Sequence, residues 1–183
     1  MYINRLIEER LEKVSKMFPV VLVTGPRQVG KSTLLKYKYK HYEYLTLDDP
    51  LLLNIAIQEP GLFFRNHETP LIIDEVQYAP GIFPYIKMIA DNSNKYGIFF
   101  LTGSQQFYLM KNISESLAGR VSILELQGLS AREIFNINFN KYFIPNDEYI
   151  NARKKDIKHY KNIWNIIHKG SYPAMYKSEI DWT

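Results

Sequence analysis

A chain of 183 residues, 46% apolar and 23% charged, has the length and balance of one globular domain with a small appendage and not those of a disordered protein. Its 23 basic and 19 acidic side chains leave a formal charge of +4, too small an excess to indicate nucleic-acid binding by itself. The absence of cysteine excludes disulfides, thiolate zinc sites and a cysteine nucleophile. No signal-peptide pattern opens the chain and no apolar run approaches the roughly 20 residues that span a bilayer, so we expect a cytoplasmic protein without a membrane partner.

Short apolar runs alternate with helical patterns from the N-terminus onward. Helical spacing of apolar residues predicts an amphipathic helix over residues 1–17. The strands predicted after it are 20–23, 44–47, 71–73, 98–101 and 121–126, and the helices between them are 31–39, 51–58, 82–92 and 105–117. Each strand is a nearly continuous apolar run, which predicts an α/β fold whose parallel sheet is covered on both faces.

The pattern changes after the fifth strand. Ser130 and Glu133 form a capping box that begins another helix. Residues 136–146 are rich in asparagine and aromatic residues, and we predict an irregular connection there. Residues 147–169 predict one long helix or two broken ones, ended by Gly170. We therefore divide the chain into a domain at 1–135 and a second segment at 136–183.

The segment after the first predicted strand matches G-x-x-x-x-G-K-[ST], the pattern of a phosphate-binding loop. Its two glycines let backbone N–H groups turn toward a phosphate, and the N-terminus of the following helix points at the same anion. We expect Lys31 to neutralise phosphate oxygens and the Ser32 hydroxyl to bind Mg²⁺. The predicted ATP-binding residues are Gly25, Pro26, Arg27, Gln28, Val29, Gly30, Lys31, Ser32 and Thr33.

Two acidic residues follow the third predicted strand. Asp74 lies at the carboxyl end of a buried strand, where an α/β sheet places its ligand crevice, so we expect it to hold Mg²⁺. Glu75 comes next and is a candidate general base for an attacking water. The alternative is that both carboxylates merely begin a surface loop. Their place about 40 residues after a phosphate-binding loop favours the metal and base roles.

Two more polar positions are candidates for contact with a γ-phosphate. Ser104, or Thr102, ends the fourth predicted strand; each hydroxyl has the alternative of capping the next helix. Arg120 lies between a predicted helix and the fifth strand, and its planar guanidinium suits phosphate oxygens. The alternative for Arg120 is a charge that complements a helix C-terminus.

Together these motifs resemble the AAA+-like ATPase domain of a large group of predicted bacterial and archaeal ATPases. The resemblance runs from about residue 2 to residue 133 and implies a P-loop NTPase three-layer sandwich with strand order 5-1-4-3-2. It also implies a sensor role for Ser104 and a finger-like role for Arg120. Because Arg120 enters the edge strand from the end of the sheet opposite the glycine loop, we expect it to act at the site of a neighbouring subunit. The segments that carry the resemblance, in the family's order, are 25–32, 47–50, 73–77, 101–105 and 116–120.

Residues 170–173 look like the segment that ends the helical lid in this group, with Ser171 and Ala174 replacing a glycine and a glutamate. The resemblance therefore implies that 136–183 is a connection and a partial helical lid. Members usually continue into a C-terminal domain of uncertain function, which is absent here. We expect a natural short form, a fragment or a decayed copy.

The leading hypothesis is an ATP hydrolase that uses Mg²⁺ and drives a conformational or partner-binding switch, with Lys31, Glu75, Ser104 and Arg120 as its catalytic residues. One alternative is a small-molecule or nucleotide kinase. Another is a nucleotide-gated binding module, or an inactive remnant, that holds ATP without turnover. Besides ATP, the expected partners are a homo-oligomer and an unknown protein; DNA stays a candidate although no base-reading motif indicates it.

Overall fold

The structure, a computed structural model, describes residues 2–104, 113, 115–137, 139, 141–155 and 163–176. The chain divides into two compact units. The larger is Ile7–Gln127, and the smaller joins Met1–Leu6 to Gly128–Thr183. Among the described residues, no helix is long and apolar enough to cross a membrane.

A parallel sheet forms the centre of the larger unit. Its strands are β1 (Val20–Thr24), β2 (Glu43–Thr46), β3 (Leu71–Asp74), β4 (Phe99–Gly103) and β5 (Val121–Glu125). They lie in the order β2-β3-β4-β1-β5, which is the predicted order 5-1-4-3-2 read from the other edge. Every residue of β1, β3 and β4 is buried, as expected for strands covered on both faces. The predicted fold class is thereby confirmed.

Helices connect these strands. Those of the larger unit are α1 (Glu8–Ser15), α2 (Lys31–Lys38), α3 (Pro50–Gln58), α4 (Pro60–Asn66) and α5 (Phe83–Ser93), with 3₁₀ turns at Val76–Tyr78 and Pro80–Ile82. Phe63 of α4 and Phe83 of α5 are fully buried in one hydrophobic core with Phe99 of β4. The side chain of Asp49 caps α3 by accepting the N–H of Leu51 at 2.8 Å.

The first helix is shorter than predicted. It begins at Glu8, so the prediction of a helix from residue 1 is wrong for residues 2–7. The reason is a long-range contact within the smaller unit: the N–H of Leu6 donates to the Glu133 carboxylate at 2.8 Å, and Arg5 pairs with the same group at 3.0 Å. A backbone donor engaged in this way is not available to a helical turn.

The smaller unit contains α6 (Ala131–Ile134), α7 (Asp147–Lys154), α8 (Ile163–Lys169) and a 3₁₀ turn at Pro173–Tyr176. The capping box predicted for Ser130 and Glu133 is confirmed. Gly170 has the left-handed φ of 65° expected of a residue that ends a helix. Residues 156–162 lie outside the described residues, so the choice between one helix and two stays open. Most of the helix predicted at 105–117 also lies outside them; residues 113, 115 and 116 are helical.

Candidate functional site

The glycine loop between β1 and α2 has the tight backbone that its sequence predicts. Gly25 has a φ of 141°, and a Cβ there would lie 2.1 Å from the backbone oxygen of Leu126. Gly30 has a φ of 93° directly before α2, again in the region that favours glycine. Val29 is 1% exposed and anchors the loop in the core. The two glycines are therefore required by the path of the chain and by its contact with the residue after β5.

Lys31, the first residue of α2, folds back over this loop. Its ammonium donates to the carbonyl oxygens of Gly25 at 3.1 Å and Pro26 at 3.0 Å, and the residue is only 5% exposed. Burial lowers the pKa of Lys31, while the nearby carboxylates of Glu75 and Asp74 act in the opposite direction. The loop thus holds one buried cation that faces two acidic residues.

Three hydroxyl groups converge on Asp74, which ends β3 and is 5% exposed. The Ser32 hydroxyl donates to Oδ1 at 2.9 Å, and the Thr102 hydroxyl donates to the same oxygen. The Tyr44 hydroxyl donates to Oδ2 at 2.5 Å. A buried carboxylate needs hydrogen-bond donors in place of water, so this network fixes the orientation of the Asp74 side chain beside the start of α2.

Tyr44 is a residue of this site that the sequence analysis missed. In the parallel register Thr46 of β2 lies opposite Asp74, and Tyr44, two residues earlier, has its side chain on the same face of β2. Burial raises the pKa of Tyr44 and its hydrogen bond to Asp74 raises it further, so the phenol keeps its proton and remains a donor. One sequence signal could have found Tyr44. It lies two residues before Thr46 on a predicted strand next to β3, so its side chain is on the same face of the sheet as those of Thr46 and Asp74.

Glu75 has an unusual backbone. Its φ of 58° and ψ of 45° are left-handed, a conformation that costs a residue with a side chain of order 1 kcal/mol. Its N–H donates to the Thr102 hydroxyl at 3.2 Å, and its carboxylate accepts a hydrogen bond from the Gln77 amide. Thr102 therefore bonds to both acidic residues, and Gln77 positions the carboxylate of Glu75. The strained turn lies where β3 ends at the cleft.

A cleft of about 490 Å³ opens in front of these residues, within the usual range for ligand pockets. Asp48 and Tyr78 line it although the sequence analysis assigned them no role. The residues around the cleft are Arg27, Gln28, Gly30, Lys31, Ser32, Thr33, Asp48, Glu75 and Tyr78.

Ser104 lies one residue beyond β4, two residues from the buried Thr102. Its hydroxyl oxygen is buried and has no hydrogen-bond partner among the described residues. A buried hydroxyl without a partner is uncommon in proteins. The sensor role of Ser104 stays a prediction.

Arg120 lies at the other end of the sheet. Its carbonyl accepts the N–H of Val20 at the start of β1, whereas the glycine loop follows the end of that strand, four residue steps or about 13 Å away. The guanidinium pairs with Asp91 at 3.0 Å and donates to the carbonyl of Ala118 at 2.8 Å. The hydrogen bond from Arg120 lowers the pKa of Asp91. The structure thus brings together Lys31, Ser32, Asp74 and Glu75, and it does not bring Arg120 to the same cleft.

The oxygen atoms at the cleft are of the kind that Mg²⁺ prefers. The Ser32 hydroxyl and the Asp74 carboxylate lie 2.9 Å apart, and both are hard ligands. Within the described residues, no three or more His, Cys, Asp or Glu side chains are grouped where they could hold a metal. A magnesium ion bound with phosphates typically takes only one or two protein ligands, so the donor set fits Mg²⁺.

Comparison with known proteins agrees with this reading of the fold. A family model described as AAA domain matches residues 17–135, more than half of the chain. The uncharacterized protein Rv2008c of Mycobacterium tuberculosis is 36% identical over 126 residues, which cover 68% of this chain and 29% of that protein. The uncharacterized protein MJ1544 of Methanocaldococcus jannaschii is 28% identical over 186 positions, which cover 94% of this chain and 39% of that protein. The chain therefore spans well under half the length of these relatives.

Two solved structures share the fold. A Walker-type ATPase of Pyrococcus abyssi superposes with a TM-score of 0.50 and 17% identity, over 84% of this chain and 63% of that one. A DNA replication initiation factor gives a TM-score of 0.51 and 14% identity, over 93% of this chain and 56% of that one. These likenesses concern the fold alone. The family match over residues 17–135, on a sheet in the predicted order, means that this chain belongs to the AAA domain family and has the fold of a P-loop ATPase.

Proposed function

We propose that the cleft binds Mg-ATP, that the chain hydrolyses the nucleotide, and that the cycle drives a conformational or partner-binding switch. One observation carries the proposal: Lys31, Ser32, Asp74 and Glu75 all reach the mouth of one glycine loop. A single buried cation beside two carboxylates is suited to a triphosphate bound with a divalent metal ion.

Binding would use the contacts of the loop. Backbone N–H groups of the loop and of the first turn of α2 face the phosphates. The Lys31 ammonium would exchange the carbonyl oxygens of Gly25 and Pro26 for phosphate oxygens, which are stronger acceptors because they carry charge. Ser32 and Asp74 would hold Mg²⁺, which supplies positive charge against the phosphate oxygens when bound.

Hydrolysis would use Glu75. Water attacks the γ-phosphorus, the bond from this phosphorus to the bridging oxygen breaks, and ADP and inorganic phosphate are formed. The Glu75 carboxylate takes the proton of the attacking water and returns it to the phosphate products. Ser104, with its buried hydroxyl, is our candidate for sensing the γ-phosphate.

One contact favours a second candidate function, a module that binds ATP without turnover. The carboxylate of Glu75 accepts a hydrogen bond from Gln77, so the candidate base is engaged in this state. Hydrolysis requires the Glu75 carboxylate to leave Gln77 and turn toward the attacking water. A module that only binds ATP requires no such movement. Phosphate release by the wild-type chain distinguishes the two functions.

We assign Arg120 to the site of a neighbouring subunit. Its place at the opposite end of the sheet and its partial exposure beside Asp91 support this role, since it is about 13 Å or more from its own loop. An interface that joins one subunit's loop to the next subunit's arginine is head-to-tail and forms a ring or a filament.

Nucleotide binding is tested by titration calorimetry with Mg-ATP. Lys31→Ala should abolish binding or weaken it greatly, because the triphosphate would then meet only backbone dipoles and the metal. Lys95→Ala is the matched control, since it removes an exposed lysine from the turn between α5 and β4. Unchanged affinity in Lys31→Ala would contradict the assignment of the loop.

A further inference from the structure

Lysine and tyrosine alternate from the last turn of α2 toward β2. From this segment the proposed nucleotide site uses only the hydroxyl of Tyr44, so its other side chains have no assigned role. Residues 36–44 contain three lysines, four tyrosines and one acidic residue, namely Lys36, Tyr37, Lys38, Tyr39, Lys40, Tyr42, Glu43 and Tyr44, with His41 between them.

A groove of about 240 Å³ opens where α2 ends. The helix has only 8 residues and stops at Lys38, so part of the sheet face next to the edge strand β2 is left without a helix above it. Tyr44 and Ile72 are cross-strand partners, and both line this groove. The full lining is Lys36, Tyr39, Lys40, Tyr42, Tyr44 and Ile72.

The aromatic rings of the groove are held in place by packing. The ring of Tyr39 stacks on Phe100 with centroids 3.9 Å apart, and Tyr42 lies 5.2 Å from Tyr39. The Tyr42 hydroxyl donates to the carbonyl of Gly97 at 3.1 Å. Rings fixed in this way lose little conformational freedom when a planar group packs against them.

Two lysines, Lys36 and Lys40, line the groove. The ammonium of Lys36 is 3.4 Å from the centroid of the Tyr44 ring, and that of Lys40 is 5.2 Å from the centroid of Tyr37. In the part of the chain that the structure describes, neither lysine forms an ion pair with an acid. The nearby acid of the segment, Glu43, contacts His67 at 2.7 Å.

We propose that this groove, made by residues 36–44 and Ile72, binds single-stranded nucleic acid. A base would stack on the ring of Tyr42, whose contacts with Tyr39 and Phe100 are tilted and not stacked, while adjacent phosphates contact Lys36 and Lys40. This is the combination by which proteins bind single strands without sequence preference. An acidic peptide would use the lysines but leave the ring of Tyr42 without a stacking partner. A duplex keeps its bases stacked on one another, so it would not use the rings either. The proposal does not depend on ATP hydrolysis.

Binding is measured as the fluorescence anisotropy of a labelled oligothymidylate of roughly 12 nucleotides, with neither ATP nor Mg²⁺ present, so that failure at the nucleotide site cannot affect the result. The double variant Lys36→Ala with Lys40→Ala should weaken binding. It should also reduce the slope of log affinity against log salt concentration by about 1.4, or roughly 0.7 for each lost phosphate contact. The control Lys95→Ala should change neither quantity.

A second pair of variants tests the ring. Tyr42→Phe and Tyr42→Leu both lose the hydrogen bond to Gly97, but only the leucine variant loses the aromatic face. We expect Tyr42→Phe to bind the oligonucleotide nearly as tightly as wild type, with only a small loss from the missing hydrogen bond to Gly97. Tyr42→Leu should bind roughly tenfold more weakly, which is the contribution of one stacked base. Melting curves establish that both variants are folded.

Four results would overturn the proposal: no binding by the wild-type chain, equal loss in Lys95→Ala, equal affinity of the two Tyr42 variants, or no change in the salt slope of the double lysine variant. A duplex that binds as tightly as the single strand would also contradict it. Competition by polyglutamate as effective as that by unlabelled oligothymidylate would show a site for acidic peptides instead.

Discussion

Replacing Tyr44 by phenylalanine removes one oxygen atom from the candidate metal site. The phenol donates to Oδ2 of Asp74, while Ser32 and Thr102 both donate to Oδ1. Among the described residues, Tyr44 is therefore the one donor to the second carboxylate oxygen. The ring and its contact with Lys36 remain in Tyr44→Phe, so packing in the groove should change little.

The size of the effect follows from the bond that is lost. A hydrogen bond to a charged group contributes about 1.5–3 kcal/mol, and Asp74 is 95% buried, which leaves little compensation from water. At about 1.4 kcal/mol for each factor of ten, this corresponds to roughly 10–100-fold in affinity. Loss of an outer partner of a metal ligand typically has the same magnitude. We therefore expect the affinity for Mg-ATP to fall by about that factor.

The assay is titration calorimetry with ATP, once with Mg²⁺ and once with a chelator. Tyr44→Phe should weaken binding only when magnesium is present. Tyr42→Phe is the matched control, because it loses a hydrogen bond to the Gly97 carbonyl and leaves every hydrogen bond to Asp74 in place. A loss of equal size with and without Mg²⁺, or no loss at all, would refute the role of Tyr44 in positioning Asp74.

Two further predictions concern Arg120 and Glu133. Arg120→Ala and Glu75→Gln should each be nearly inactive alone. A mixture of the two should recover phosphate release, because some interfaces combine an intact Glu75 with an intact Arg120 of the next subunit. No recovery in a mixture shown to form mixed oligomers would contradict action between subunits. Burial alone would raise the pKa of Glu133, but hydrogen bonds from Ser130, Leu6 and Arg5 lower it below 4.5 overall. The stabilising contribution of the Glu133 carboxylate is therefore present above pH 4.5 and is lost as the pH falls through the lowered pKa. We expect Glu133→Gln to be less stable than wild type at neutral pH. We also expect its free energy of unfolding to fall less steeply in acid. Urea unfolding followed by circular dichroism measures this; the same pH profile in wild type and Glu133→Gln would contradict it.

Local signals predicted the sheet and the glycine loop. The central strands β1, β3 and β4 are nearly continuous apolar runs, and their burial on both faces requires no more than that composition. The loop at Gly25 is fixed by a clash that any side chain would make with Leu126, which explains why glycine is required there. The strand and loop patterns each lie within a few consecutive residues and can be recognised in the sequence, whereas the clash with Leu126 is known only from the structure.

Features that depend on distant partners were missed. The amphipathic pattern of the N-terminal residues predicted helix, but the contact of Leu6 with Glu133 joins positions 127 residues apart. The helix predicted at 51–58 ends where α3 ends, but α4, which begins at Pro60, was not predicted; a proline at the start of a helix loses nothing by its missing N–H. Tyr44 of β2 donates a hydrogen bond to Asp74 of the adjacent strand β3, and Arg120 pairs with Asp91 of α5. Such pairs become visible only when the strands are in place.

Glu75 is the residue on which the proposed ATP hydrolysis depends most directly, as the base that activates water. The most direct measurement is phosphate release from Mg-ATP by the wild-type chain and by Glu75→Gln, with Glu68→Gln as an exposed acidic control. We expect release by the wild type and by the control, and a rate at least about 100-fold lower in Glu75→Gln, with ATP affinity unchanged. Release by Glu75→Gln at the wild-type rate would contradict the role of this residue, and no release by the wild-type chain would show that the cleft binds ATP without hydrolysing it.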